Sequence, residues 1–261
     1  MKIATWNING VKARLEVALT WLKEASPDIV CLQEIKSVDE QFPAAAFEAI
    51  GYNVAVHGQK GFNGVALLSR RPFDEVHRGL PGAPDDVQSR YIEGVMSVPS
   101  GVVRVGGLYL PNGNPIDTDK FTYKLAWMDR LIAHARDLLA HEEPFVLAGD
   151  FNVIPQSADA KRPQDWVNDA LAQPATRDAY RRLLAHGFTD AVRACRPEAG
   201  VFTFWDYQAG AFQKDNGIRI DHALLSPQAA DRLRGVGIDK FTRAWEKPSD
   251  HVPVWVDLDL D

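Results

Sequence analysis

The chain has 261 residues, of which 46% are hydrophobic and 25% charged, a balance that excludes a low-complexity or disordered protein and leaves room for one large α/β domain. No apolar run approaches the ~18 residues of a membrane span, and the opening "MKIATWNING" lacks the charged and apolar regions of a secretory leader. The formal net charge of −6 argues against a simple nucleic-acid binder with a basic face, but not against an enzyme that gathers carboxylates around a metal.

In chain order, "KIATWN" reads as a buried strand. Val11, Leu15, Ala18, Leu22 and Ala25 then recur at helical spacing until Pro27 ends the run. "DIVCLQ" is a second buried strand, so the opening is a βαβ unit with parallel strands. Strands follow over "YNVAVHG", "GVALLSR", "RYIEGVMSV" and "VVRVGGLYL", with Asn63-Gly64 predicting a hairpin between the first two. A long helix carries Phe121, Leu125, Met128, Ile132, Ala135 and Leu139 on one face. "FVLAGD" is a strand buried on both faces, residues 156 to 186 are helical and loop-rich, and "TRDAYRRLLAH" is a helix. The last third returns to strands over "VFTFW", "IRIDHALLS", "GVGIDKF" and "VPVWVDLDL". No linker or repeat divides residues 1 to 261, so a single domain of two mixed sheets packed together, with helices outside, is expected. Cys31 and Cys195 are too few for a structural zinc site and read as two buried thiols in a reducing cytoplasm.

The strand ends carry the chemistry. Asn7 and Asn9 close the first strand, Gln33 and Glu34 the second, Tyr109 and Asn112 the "GLYLPNGN" strand, and Asp150 and Asn152 the "FVLAGD" strand. Asp221 lies in "RIDHALLS", and "PSDHVPV" supplies Asp250 and His251. One such ending is ordinary turn chemistry. Six converge as loops do around a site beyond strand ends. Carboxylates and amides are hard oxygen ligands for Mg²⁺ or Mn²⁺. Because adjacent strand residues face opposite ways, Asp221 rather than His222 is the candidate to orient His251.

"NING", "LQEIK", "GDFN", "RIDHALLS" and "SDHVPV", in this order and spanning residues 3 to 258, resemble the exonuclease III family of abasic-site endonucleases, within the endonuclease/exonuclease/phosphatase superfamily. The resemblance implies a DNase I-like four-layer α/β sandwich and Mg²⁺-dependent phosphodiester hydrolysis, with Mn²⁺ as substitute. It implies Glu34 as the main metal ligand, in a cup completed by Asn7, Asp150, Asn152, Asp250 and His251. Asp150 would be the general base, with Asn152 positioning the water. Asp221 would orient His251 at a phosphate oxygen, and Tyr109 would stand near the leaving group. Asn9 stands where some relatives carry a second acidic ligand, so one metal site is expected. Substrate contacts are expected from Asn112, Phe204, Trp205, Ile218 and Ile220. Of these, Phe204, Ile218 and Ile220 form an apolar pocket for a base-free sugar, roomier than where relatives carry Trp at the position of Ile218. The implied partner is double-stranded DNA with abasic sites or blocked 3′ ends, met by a cytoplasmic monomer away from any membrane. A lipid- or inositol-phosphate hydrolase of the same superfamily is the second reading, and a non-catalytic binding module the third.

Overall fold

A computed structural model describes residues 1 to 260. Twelve strands run in chain order as β1 (Lys2–Asn7), β2 (Ile29–Gln33), β3 (Asn53–His57), β4 (Val65–Ser69), β5 (Glu75–Arg78), β6 (Tyr91–Val98), β7 (Gly101–Tyr109), β8 (Phe145–Asp150), β9 (Thr189–Asp190), β10 (Asp221–Leu225), β11 (Leu233–Ile238) and β12 (Val254–Leu258). The helices are α1 (Leu15–Ala25), α2 (Ala44–Glu48), α3 (Asp119–Leu139), α4 (Pro174–Ala185), α5 (Ala191–Cys195) and α6 (Pro227–Ala230). The strands form two six-stranded sheets, ordered β11-β12-β1-β2-β4-β3 and β5-β6-β7-β8-β10-β9. Each sheet has one parallel pair at its centre, β1 with β2 and β7 with β8, and both are therefore mixed, as expected.

Side-chain alternation along these central strands builds the layers. Ile3, Ile29 and Cys31 meet Val105, Val146 and Ala148 in a core between the sheets. The intervening residues Ala4, Trp6, Val30 and Leu32 turn outward onto Trp21 and Leu22 of α1. On the other sheet, Leu108, Phe145 and Leu147 turn outward onto Trp127, Met128 and Leu131 of α3, and onto Tyr180 and Leu183 of α4. The result is helix, sheet, sheet, helix. Helix α1 stops at Ser26, which takes left-handed backbone (φ 45°) and donates its N–H to Leu22 O before Pro27. No helix among the described residues is long and apolar enough to cross a membrane.

The hairpin expected at Asn63-Gly64 is present: β3 and β4 pair antiparallel, joined by residues 58 to 64, and Gly64 packs so tightly on Ile35 that an added Cβ would lie 2.5 Å from it. Two expectations, the strand over "VFTFW" and the burial of Cys195, need correction. "VFTFW" is not a strand; Phe204 makes only isolated bridges, to Ile218 and to His251. Strand β5 was not anticipated, its residues being largely exposed and so lacking an apolar signal. Cys195, at the end of α5, is exposed, whereas Cys31 is buried in the inter-sheet core, where burial pushes its thiol up to about 12.

Candidate active site

Strand register puts the strand-end residues side by side. Asn7 is level with Gln33 across β1–β2, Tyr109 with Asp150 across β7–β8, and Asp221 with Asp150 across β8–β10. Ser249 ties the last segment to the first strand, donating its hydroxyl to Asn7 O at 2.7 Å. Ten of the expected residues thereby line one cavity of about 170 Å³. Its polar side holds Glu34, Tyr109, Asn112, Asp150, Asn152, Asp250 and His251, and its apolar side Phe204, Ile218 and Ile220. Asn7 and Asp221 are fully buried beneath it. A groove of about 640 Å³ beside α1 and Trp245 is larger, but it shares no lining residue with the acids.

The acids are organised around Asn7. Its Nδ2 donates to Glu34 Oε1 at 3.0 Å and to Asp150 Oδ2 at 2.9 Å, while its Oδ1 accepts from Asn9 N–H. Burial opposes ionisation of Glu34, but the Asn7 amide and the Lys36 ammonium, 3.0 Å away, hold its carboxyl below the usual range. A buried carboxylate and a partly buried one, Asp150 and Glu34, converging on one donor is an arrangement that a divalent cation also satisfies. Asn9 donates instead to Asp250 Oδ1 at 3.0 Å.

Asp150 and Asn152 are both turn and site. The Asn152 N–H donates back to Asp150 Oδ1 at 2.9 Å, with Asn152 in left-handed backbone (φ 47°), so both side chains face the cavity. Asn152 Nδ2 donates to Leu110 O, and its Oδ1 accepts from Asn112 Nδ2 at 3.2 Å. His251 donates Nδ1–H to Asp221, 2.9 Å from Oδ2, and its Nε2 lies 3.7 Å from Asp150 Oδ2. Burial alone would push the imidazole down; the Asp221 and Asp150 carboxylates overcome it and hold the ring well above its ordinary value. Burial raises Asp150 against the opposing pull of His251. Donor atoms of Asp150, Asp221 and His251 fall within 4.8 Å of one another and could hold a metal, although His251 already spends its Nδ1 proton on Asp221. Tyr109 is raised well above a free phenol by burial and by Glu34 and Asp150, which keeps its hydroxyl a donor.

Trp205 is corrected: it is buried among Phe202, Ala211 and Val252, donates Nε1–H to Asp215 at 3.1 Å, and does not line the cavity. Neighbouring residues of an extended segment face opposite ways, and Phe204 takes the cavity side. Trp166, Asp169 and Leu171 line the cavity and were missed. They lie in the irregular segment before α4, where no periodicity marks a face; the one signal is a Trp in a mostly polar loop, "QDWVND".

This fold and acidic cup define a class. The chain belongs to the Endonuclease/Exonuclease/phosphatase family, which it matches over residues 4–251. It is 34% identical to exodeoxyribonuclease III of Haemophilus influenzae, over 99% of this chain and 100% of that one. Among solved structures it resembles the 3′ phosphatase NExo from Neisseria bound to a product DNA hairpin (TM-score 0.95, 41% identity, 99% of each chain). It also resembles an AP endonuclease from Archaeoglobus fulgidus (TM-score 0.93, 37% identity, 99% of each chain).

Proposed function

We propose that this protein is a DNA-repair nuclease that hydrolyses backbone phosphate esters at abasic sites and at blocked 3′ ends of duplex DNA, as a monomer in the cytoplasm. One observation carries the reading: the Asp150, His251–Asp221 and Glu34 constellation shares a single small cavity with the apolar wall of Phe204, Ile218 and Ile220. At about 170 Å³ the cavity is below the roughly 300 Å³ where drug-sized ligands begin to fit, which suits a sugar without its base. A nucleotide that keeps its base would also have to leave its stack, at a few kcal/mol.

In this reading Asp150 takes a proton from water as that water attacks phosphorus, and Asn152 orients it. His251, held protonated by Asp221, donates to a non-bridging phosphate oxygen, and Tyr109 donates near the leaving oxygen. Glu34 would hold Mg²⁺, or Mn²⁺ in its place, together with oxygens of Asn7, Asp150, Asn152 and Asp250. That cation supplies charge neutralisation on the phosphate.

The test is initial rate on three substrates, an abasic duplex, a 3′-phosphorylated nick and a soluble inositol phosphate, before and after exhaustive chelation. The expected result is DNA cleavage that chelation abolishes and Mg²⁺ restores. Faster turnover of inositol phosphate would overturn the substrate, and full activity after chelation, or restoration by zinc alone, would overturn the metal.

A further inference from the structure

Helix α3 packs its inward face on the second sheet with Trp127, Met128 and Leu131, as an outer helix should. At Lys124 the same face carries an amine that is 0% exposed and that burial pushes down to about 7. Lysine is almost never fully buried without a paired charge, because a charge withdrawn from water must be compensated. Neither of the hydrogen-bond acceptors at Nζ is a carboxylate: one is Asn112 O at 3.0 Å and the other Asn152 O at 2.6 Å.

Those two carbonyls belong to the two loops whose side-chain amides line the cavity. Between the side chains and backbones of these loops two further bonds run, from Asn112 Nδ2 to Asn152 Oδ1 at 3.2 Å and from Asn152 Nδ2 to Leu110 O at 2.9 Å, but neither touches the two carbonyls that Lys124 holds. Neither is regular structure. Asn152 takes φ 47° and Gly113 φ 89°, and a Cβ on Gly113 would lie 2.6 Å from Lys124 Cδ, so the first loop is moulded onto the lysine stem. An apolar residue at position 124 would fill the helix face and leave both carbonyls without this donor.

We propose that Lys124 is a positioning residue: from behind the cavity its Nζ clamps the backbones of Asn112 and Asn152, so that Asn112 meets the substrate and Asn152 the attacking water in one fixed arrangement. This rests on the reading of the site given above. It assigns a role in the reaction to a residue of the outer helix that does not reach the cavity.

The experiment measures kcat and KM on an abasic duplex for the full chain and for Lys124→Met, Lys124→Gln, Met128→Ala, Asn112→Ala and Lys124→Met/Asn112→Ala. Misplacement of reacting groups by ~1 Å costs on the order of a hundredfold, so Lys124→Met should lose about ten- to a hundredfold in kcat with KM within about threefold. Lys124→Gln, which restores amide donors without the charge, should regain at least about threefold in kcat over Lys124→Met. With Asn112 already removed, Lys124→Met should cost several-fold less than in the wild-type background, because one of the two partners it acts through is gone. Met128→Ala, one turn along α3, should lower Tm and leave kcat of the folded protein unchanged.

Wild-type kcat in Lys124→Met, no recovery in Lys124→Gln, or the same loss in both Asn112 backgrounds would each overturn the proposal. So would an equal kcat loss in Met128→Ala. If Lys124→Met does not fold, the cycle is run with Lys124→Gln, and an undiminished cost beside Asn112→Ala overturns it. An inactive wild type refutes the reading of the site itself. An active wild type, inactivated by Asn152→Ala but indifferent to Lys124, refutes only the clamp.

Discussion

At the scale of single residues, the His251–Asp221 contact sets the behaviour with pH. The folded-state pKa of His251 is raised, so the imidazolium persists through neutrality and is lost as pH rises through that raised value. Asp221→Asn removes the nearest counter-charge. It should cost roughly a hundredfold in kcat and move the alkaline limb of the kcat/KM profile to lower pH; an unmoved limb would separate Asp221 from the titration of His251. Phe204 belongs to the opposite wall. It is only partly buried, its ring centroid 4.9 Å from that of His251 in an edge-on arrangement, so it is a cavity residue more than a core one. Phe204→Ala should reduce the preference for abasic over intact duplex by about tenfold, while costing less than the ~3 kcal/mol of a core Phe truncation. Competition between the two duplexes, together with a melting curve, checks both halves.

At the scale of elements, the site depends on how closely two central strands approach. A Cβ on Gly149 would lie 2.0 Å from Leu108 O, a backbone atom that cannot rotate away. Gly149→Ala should therefore break the β7–β8 pairing that sets Tyr109 beside Asp150, costing more than about 4 kcal/mol. Gly235→Ala, with no atom within 4 Å, should stay within about 0.5 kcal/mol in the same urea titration. The sequence made most of this legible where burial is two-sided: "KIATWN", "DIVCLQ" and "FVLAGD" are continuous apolar runs because they lie between a core and a helix layer. Their polar ends mark the site for the same reason, since the apolar run stops where the sheet stops. Legibility failed where geometry is not periodic. Phe204 joins Ile218 and His251 through single bridges, and Trp166 and Leu171 reach the cavity from an irregular loop. Lys124 could not be found from sequence, because a lysine within a helix reads as a solvated face until its burial is seen.

At the scale of the whole molecule, a buried polar network behind the site joins distant parts of the chain. Arg219 donates to Asp159, to Asp190 and to His222 Nδ1, which leaves His222 Nε2–H to donate to Val153 O at 3.0 Å. Burial, reinforced by Arg219, pushes His222 down to about 4, so the folded protein binds fewer protons there than the unfolded chain below pH 6.5. Stability should fall as pH drops from 6.5 towards 4, by something on the order of 3 kcal/mol, and His222→Gln should flatten that slope in urea melts taken across the window. Glu34 and Asn152 add a different liability, because both occupy left-handed backbone, at φ 49° and 47°. Such a conformation costs a side chain-bearing residue roughly 1–2 kcal/mol that glycine would largely avoid. Two of the ten non-glycine residues that take this conformation among the described residues are thus residues the chemistry requires. A directed-evolution campaign scored on heat resistance alone would treat these two positions like Ser26 or Glu142, where the same relief is open, and glycine at either of them would yield a sturdier, inert protein. Any selection scheme for a robust variant of this enzyme must therefore read turnover in every round.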